Sequence, residues 1–246
     1  MIAWRLLCLM SHLLVGLLIC GVCFPLSKIA THERLIRWWS GRLLTIFQVQ
    51  LKFIDDSEGT AVSRALIVSN HVSWLDIFVM NTQQPCYFVA KSDIRSWPII
   101  GWLSQKAGTI FLERGKQREV RRIYEGLVHQ IHAGKRIAFF PEGTTAAQGS
   151  VLPFHANLFE AAIEAQVPVE PFSIRYLDAS GKLHSAVDFI GEMTIVESMQ
   201  AIFGGGKITA ELRQLRSIST VDAHRREIAQ AARVAVAHSL SIEIKA

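Results

Sequence analysis

From Leu6 to Leu26 nearly every residue is apolar, and Ser11 and His12 are the main interruptions. A helix needs about 20 such residues to cross a bilayer. The chain must therefore put this segment in lipid or cover it with other apolar surface. Arg5 is the one charge before the run, whereas Lys28, Arg34, Arg37 and Arg42 follow it. That asymmetry puts the C-terminal side in the cytoplasm. A cleaved export signal presents a similar run. Its cleavage site is poor here, and neither Cys20 nor Cys23 follows a small residue. The segment either spans the bilayer or lies in one leaflet as a hairpin with the next helix. That next stretch, Glu33 to Phe53, alternates basic residues with Trp38, Trp39, Leu43, Leu44, Ile46 and Phe47. It reads as an amphipathic helix, at the membrane interface or packed on the folded domain. The expected division is residues 1–56, a membrane helix plus an interfacial helix, and residues 57–246, one α/β domain.

The charge balance is 26 Lys and Arg against 21 Asp and Glu, a formal +5. No basic block reaches five residues, and no zinc-finger or RNA-binding signature is present. The basic excess points to an anionic membrane and away from nucleic acid. Three of the four cysteines lie inside the apolar run, which is not a disulfide framework. Cys20-x-x-Cys23 reads as two small apolar residues on a helix rather than a redox or metal pair. A reduced, cytoplasmic domain follows.

Past residue 57, short apolar runs alternate with helical periods. Strands are expected at 65–69, 87–90, 109–112, 136–140, 169–176, 186–190 and 207–215. Helices are expected at 72–80, 96–106, 117–133, 158–165, 196–203 and 221–240. Gly134 stops the helix that begins at Gln117. Such alternation implies a largely parallel mixed sheet flanked by helices.

Directly after the first of these strands stands Asn70-His71-Val-Ser-Trp-Leu-Asp76. Five residues rotate a regular helix by about 140°, which separates a base from an acid. The two meet if His71 occupies the turn before the helix and Asp76 its first turn. A neutral imidazole near pH 7 takes a proton from a hydroxyl. A carboxylate behind it fixes the tautomer and stabilises the imidazolium. Three more features accompany the pair: Gly108-Thr-Ile-Phe111-Leu-Glu-Arg114, Phe140-Pro-Glu142-Gly143-Thr144 and Val167-Pro168-Val-Glu-Pro171. Singly, each has an ordinary structural explanation.

Together, in this order, the four blocks resemble the glycerolipid acyltransferase family, typified by bacterial 1-acyl-sn-glycerol-3-phosphate acyltransferase. Its blocks are N-H-x-x-x-x-D, G-x-x-F-x-x-R, F-P-E-G-T and V-P-x-x-P, and the match spans about 70–171. Phe88-Val-Ala-Lys91 and Pro98-Ile-Ile-Gly101 are similar to the family as well. The resemblance implies a membrane-bound O-acyltransferase of phospholipid biosynthesis, at the bacterial inner membrane with its catalytic domain on the cytoplasmic side. A fatty acyl group would pass from acyl carrier protein or CoA to the free hydroxyl of a lysolipid. It implies His71 as general base, Asp76 as its partner, and no acyl-enzyme. Arg114, Glu142, Gly143, Thr144, Gly108 and Phe111 would bind substrate. No metal or organic cofactor is implied, and G-x-S-x-G and H-E-x-x-H are absent from the sequence. His129-x-x-His132 reads as an exposed helix face rather than a metal pair.

The chain departs from the phosphatidate-forming pattern after Thr144. Where arginine usually follows, Thr145 stands, succeeded by Ala146, Ala147, Gln148 and Gly149. His155 occupies a position where lysine is frequent, and Asn157 lies where glycine is. A phosphate acceptor favours a fixed guanidinium. The version here is similar to a branch that includes lyso-ornithine lipid acyltransferases. Lysophosphatidate is the first expected acceptor, and lyso-ornithine lipid or another lysolipid is the alternative.

Overall fold

The computed structural model describes residues 2–60, 62, 64–112 and 117–243, without the side chains of 2, 3 and 117–123. Helix α1 (Ile2–Leu18) runs through a π-helical turn (Ile19–Cys23) into α2 (Phe24–Leu26). After a break at Ser27, α3 (Ile29–Ile46) folds back along α1. His12 and Trp39 fasten the two helices. Their rings stack at 4.5 Å, Trp39 Nε1 donates to the His12 carbonyl (3.1 Å), and His12 Nε2 bonds the Trp39 carbonyl (3.0 Å). Gly16 leaves room for this, since a Cβ there would lie 2.9 Å from Trp39 Nε1. Trp4–Leu26 is long and apolar enough to cross a membrane. Both of its ends nevertheless touch the α/β unit. Arg5 donates to the Phe203 carbonyl (3.0 Å), and a Cβ at Gly21 would lie 3.7 Å from the Trp102 ring. Sixteen residues of helix between these points measure about 24 Å, so α1 lies along the domain.

The remaining elements are β1 (Val49–Asp55), β2 (Leu66–Ser69), α4 (Asp76–Gln83), β3 (Tyr87–Lys91), α5 (Ile100–Lys106), β4 (Ile110–Leu112), α6 (Gln117–His132), β5 (Ile137–Phe139), α7 (Glu160–Glu164), β6 (Val169–Leu177), α8 (Ile195–Gly204), β7 (Ile208–Gln214) and α9 (Arg225–Ser239). The sheet has seven strands in the order β1-β7-β6-β2-β5-β3-β4. All pairs are parallel except β6 with β7. The expected largely parallel mixed sheet is what forms. β2 sits centrally, and its residues are all buried. Period-two alternation sends Ile67 to one face, where it meets Leu44, Phe47, Leu75, Val79 and Ile202. Leu66 and Val68 go to the other, against Leu127, Ile131, Phe159 and Ala232.

Four expectations change. The helix predicted to reach Phe53 stops at Ile46, because Gln48 turns the chain with φ +58°. Val49–Asp55 then forms edge strand β1, registered on β7. The sheet therefore draws a strand from within residues 1–56. Residues 186–190 are not a strand. Ser185–Val187 make a 3₁₀ turn, and Phe189 N–H is spent on the Val72 carbonyl (3.1 Å). The helix predicted from Val72 begins at Asp76, after a turn closed by Asp76 itself, and α9 begins at Arg225 behind a His224 cap.

Candidate functional site

β2, β5, β3 and β4 are parallel, so their carboxyl ends share one edge. Ligands of open parallel sheets bind at that edge. Asn70 and His71 follow β2, and Phe140–Thr144 follow β5. Asn70 is 3% exposed and clasps the neighbouring strand. Its Nδ2 donates to the Ile174 carbonyl, and its Oδ1 accepts from Ile174 N–H, both at 2.9 Å. The chain leaving β2 is thereby fixed to β6 at the point where it turns.

His71 Nδ1 stands 2.7 Å from Asp76 Oδ2. An ionised carboxylate has no hydrogen to give, so Nδ1 carries the proton and Nε2 is left as the free base. Asp76 is fully buried. Oδ2 also accepts the Val72 and Ser73 N–H groups (2.7 and 2.9 Å), which curls the turn and puts Asp76 in the first turn of α4. Oδ1 accepts from Tyr176 Oη at 2.6 Å. Tyr176 is itself fully buried. Burial first, and then the Asp76 charge, raise its phenol well above the ordinary value, so it stays a donor. The imidazole is 19% exposed and stacks on Phe140 at 3.9 Å. Nδ1 and one face of the ring are thereby engaged.

The main chain of His71 is held with equal care. Its N–H donates to Glu142 Oε1 (2.8 Å), and its carbonyl accepts from Ala146 N–H (2.8 Å). Glu142 Oε2 takes Leu152 N–H (2.9 Å). At 4% exposure, this carboxylate braces the turn after β2 against the loop after β5, with one backbone N–H on each oxygen. Burial raises its carboxyl above the usual range, against the two backbone donors. Gly143 permits the turn with φ +68° and donates to the Phe140 carbonyl (3.1 Å). Thr144 is exposed. Thr145 is half-buried, and its hydroxyl donates to the Phe189 carbonyl.

The structure thus brings together His71, Asp76, Glu142, Gly143 and Thr144. Arg114 lies outside the described residues. Phe111 is half-buried on β4, registered beside Ala90. β4 lies three strands from β2, roughly 14 Å across the sheet. Gly108 precedes β4 at the opposite edge. Its φ is +88°, and a Cβ would stand 2.3 Å from the Tyr87 ring. Gly108 is accordingly required by packing against Tyr87. Sequence reasoning missed Tyr176, whose one signal is a phenol in the buried strand V-E-P-F-S-I-R-Y-L. His129 and His132 are exposed on α6. Among the described residues no group of three or more His, Cys, Asp or Glu is arranged to hold a metal.

The chain is similar to known acyltransferases. The family model described as Acyltransferase matches residues 51–175. A lyso-ornithine lipid O-acyltransferase of Pseudomonas aeruginosa is 34% identical over 205 residues, 83% of this chain and 78% of that one. A 1-acyl-sn-glycerol-3-phosphate acyltransferase of Neisseria gonorrhoeae is 42% identical over 117 residues, 48% of this chain and 46% of that protein. The crystal structure of the 1-acyl-sn-glycerophosphate (LPA) acyltransferase PlsC of Thermotoga maritima superposes with a TM-score of 0.64. Their identity is 19%, with 99% of both chains covered, which is a likeness of fold.

Proposed function

This chain belongs to the Acyltransferase family and is an acyl-transferring enzyme, and on that premise we propose that it esterifies the free hydroxyl of a lysolipid with His71 as general base. The observation that carries this reading is the 2.7 Å His71–Asp76 contact on a partly exposed imidazole. The acceptor hydroxyl attacks the carbonyl carbon of an acyl thioester on carrier protein or CoA. As the C–O bond forms, Nε2 takes the hydroxyl proton, and the buried Asp76 carboxylate stabilises the imidazolium. Collapse of the tetrahedral adduct breaks the C–S bond. The departing thiolate recovers the proton from Nε2, so His71 ends as it began. Tyr176 and the turn N–H groups keep Asp76 aimed at Nδ1. Glu142 keeps the His71 backbone in register. The thioester is the co-substrate, and none of these steps calls on a metal.

For the acceptor head group, Thr145 is the informative residue. Its hydroxyl is committed to Phe189, and no guanidinium stands at that position. A head group that does not depend on a bidentate cation there fits better than a phosphomonoester. We therefore put lyso-ornithine lipid first, in line with the name of the Pseudomonas relative. Lysophosphatidate is the second reading, favoured by the name of the Neisseria relative and by the shared blocks.

The reading includes membrane association on the cytoplasmic face of the inner membrane, where thioester donors are made. The exposed residues Trp4, Leu7, Met10, Leu14, Leu18 and Val22 fall on one side of the N-terminal helix. Since both helix ends touch the α/β unit, insertion into one leaflet is preferred to spanning. The deciding experiment supplies purified enzyme with acyl-CoA or acyl carrier protein and each lysolipid in turn. Acceptor-dependent thiol release is expected, and His71→Ala should lower it by roughly 10²–10⁴-fold. Release that ignores the acceptor, or a His71→Ala variant near normal turnover, refutes the assignment.

A further inference from the structure

The segment between β3 and β4 leaves unusual side chains in water. Trp97, Ile99, Ile100 and Trp102 are 41%, 48%, 41% and 40% exposed. The backbone beneath them is tightly folded. Trp97 N–H donates to the Ile94 carbonyl (3.1 Å), and Gly101 N–H donates to the Trp97 carbonyl (2.9 Å). A Cβ at Gly101 would lie 2.3 Å from the Arg95 carbonyl oxygen. Ile99 adopts φ +63°, which is an outlier for a β-branched residue. A strained turn of this kind costs stability, and in water it would gain nothing by displaying four large apolar groups.

Cations surround the patch. Lys91, Arg95 and Lys106 are exposed, and Lys106 Nζ lies 5.7 Å from the centre of the Trp102 ring. Asp93 is the one acid between residues 91 and 106. The patch also continues a second apolar surface. The exposed stripe of α1 runs from Trp4 through Leu7, Met10, Leu14 and Leu18 to Val22. At Gly21 it meets the Trp102 ring. Tryptophans flanked by Lys and Arg are the composition of a surface that sits at the head-group level of a bilayer.

We propose that residues 97–102 form a second membrane contact, continuous with the α1 stripe, that seats the catalytic edge of the sheet on an anionic lipid leaflet. The segment follows the carboxyl end of β3. β3 neighbours β5, whose carboxyl end carries Phe140 and the loop that holds His71. Docking through 97–102 therefore brings the sheet edge that bears His71 to the leaflet in which a lysolipid resides. The α1 stripe alone would leave the domain free to tilt about one helix. A second contact removes that freedom. The inference rests on the membrane reading of α1.

Tryptophan fluorescence of the full chain bound to vesicles tests it. The vesicles contain phosphatidylglycerol and phosphatidylcholine brominated in the upper acyl chain. Subtracting the emission of a Trp97→Phe/Trp102→Phe variant isolates those two rings from Trp4, Trp38, Trp39 and Trp74. The difference emission should be quenched by the brominated lipid. Quenching confined to the four remaining tryptophans overturns the second contact and leaves the α1 reading standing. No quenching of any tryptophan overturns both. In a second arm, Lys91→Gln/Arg95→Gln/Lys106→Gln should weaken binding to phosphatidylglycerol vesicles by about fivefold for each cation removed. Binding to pure phosphatidylcholine vesicles should change little. Unaltered vesicle binding, with turnover lost only from the acyl carrier protein thioester, would make the cations a docking site for that acidic protein and overturn the proposal.

Discussion

Asn at position 76 separates the charge of the carboxylate from its shape. In the wild type, Asp76 Oδ2 accepts from His71 Nδ1, Val72 N and Ser73 N, and Oδ1 accepts from Tyr176. An asparagine keeps a carbonyl oxygen in the Oδ2 position and preserves those three bonds. Its amide group then faces Tyr176, whose hydroxyl turns from donor to acceptor. The turn survives, but the imidazolium formed in the transition state has lost its counter-charge. With charge centres about 4 Å apart and an effective dielectric near 20, that attraction is about 4 kcal/mol. Proton transfer between half and full at the transition state forfeits about 2 to 4 kcal/mol of it. The expected fall in turnover is therefore roughly 30- to 1,000-fold. Thiol release from acyl-CoA at saturating lysolipid measures it. Thermal melting of Asp76→Asn within a few degrees of wild type shows that the scaffold is intact. A folded variant that turns over within threefold of wild type would refute the electrostatic role given to Asp76.

Thr145→Arg should raise the use of lysophosphatidate relative to lyso-ornithine lipid, since a guanidinium would replace a hydroxyl now bonded to Phe189. An unchanged acceptor ratio in competition assays removes the head-group argument. Gly108→Ala should destabilise the fold by at least about 1 kcal/mol, from the left-handed backbone and the Tyr87 clash. Specific activity per folded molecule should hold, and a changed Michaelis constant with normal melting would return Gly108 to the substrate site. Glu142 makes a prediction about pH. Burial raises its carboxyl above the ordinary 4.5, so just above that value the native state retains a proton that the unfolded chain has released. Unfolding free energy from this group falls as pH rises through the window. Urea unfolding of Glu142→Gln across the same range should lack that slope, and an identical slope would exclude Glu142 as its source.

The sequence carried the order of elements and the His71–Asp76 pair better than it carried the roles of the surrounding residues. The four central parallel strands were legible because each is a short apolar run with a turn residue behind it. β1 was not. Its alternation V-Q-L-K-F-I-D continues the mixed basic and apolar texture of α3, and the break at Gln48 depends on a backbone conformation that glutamine rarely adopts. The 186–190 run has the composition of a strand, but Phe189 N–H is needed at Val72. Glu142 is a substrate contact only by the family resemblance of Phe140-Pro-Glu142-Gly143-Thr144. Only coordinates reveal that His71 and Leu152 already occupy both of its oxygens. Tyr176 is a hundred residues from Asp76, a separation no local motif encodes.

The way His71 is mounted explains how the chain can depart from the phosphatidate-forming pattern and still keep the arrangement of the base. Ring and backbone are secured by different carboxylates, Asp76 for the imidazole and Glu142 for the main chain. The third restraint comes from Ala146, but through its backbone N–H on the His71 carbonyl. A backbone bond does not depend on the side chain that bears it. Glu142 must therefore stay as it is and Gly143 must keep its left-handed turn, whereas the side chains at 144 and 145 make none of these bonds; Ala146 is buried. Thr144 is exposed and Thr145 half-buried on the same loop, next to the base without supporting it. In this arrangement a change of side chain at 144 or 145 leaves in place the bonds that aim the imidazole.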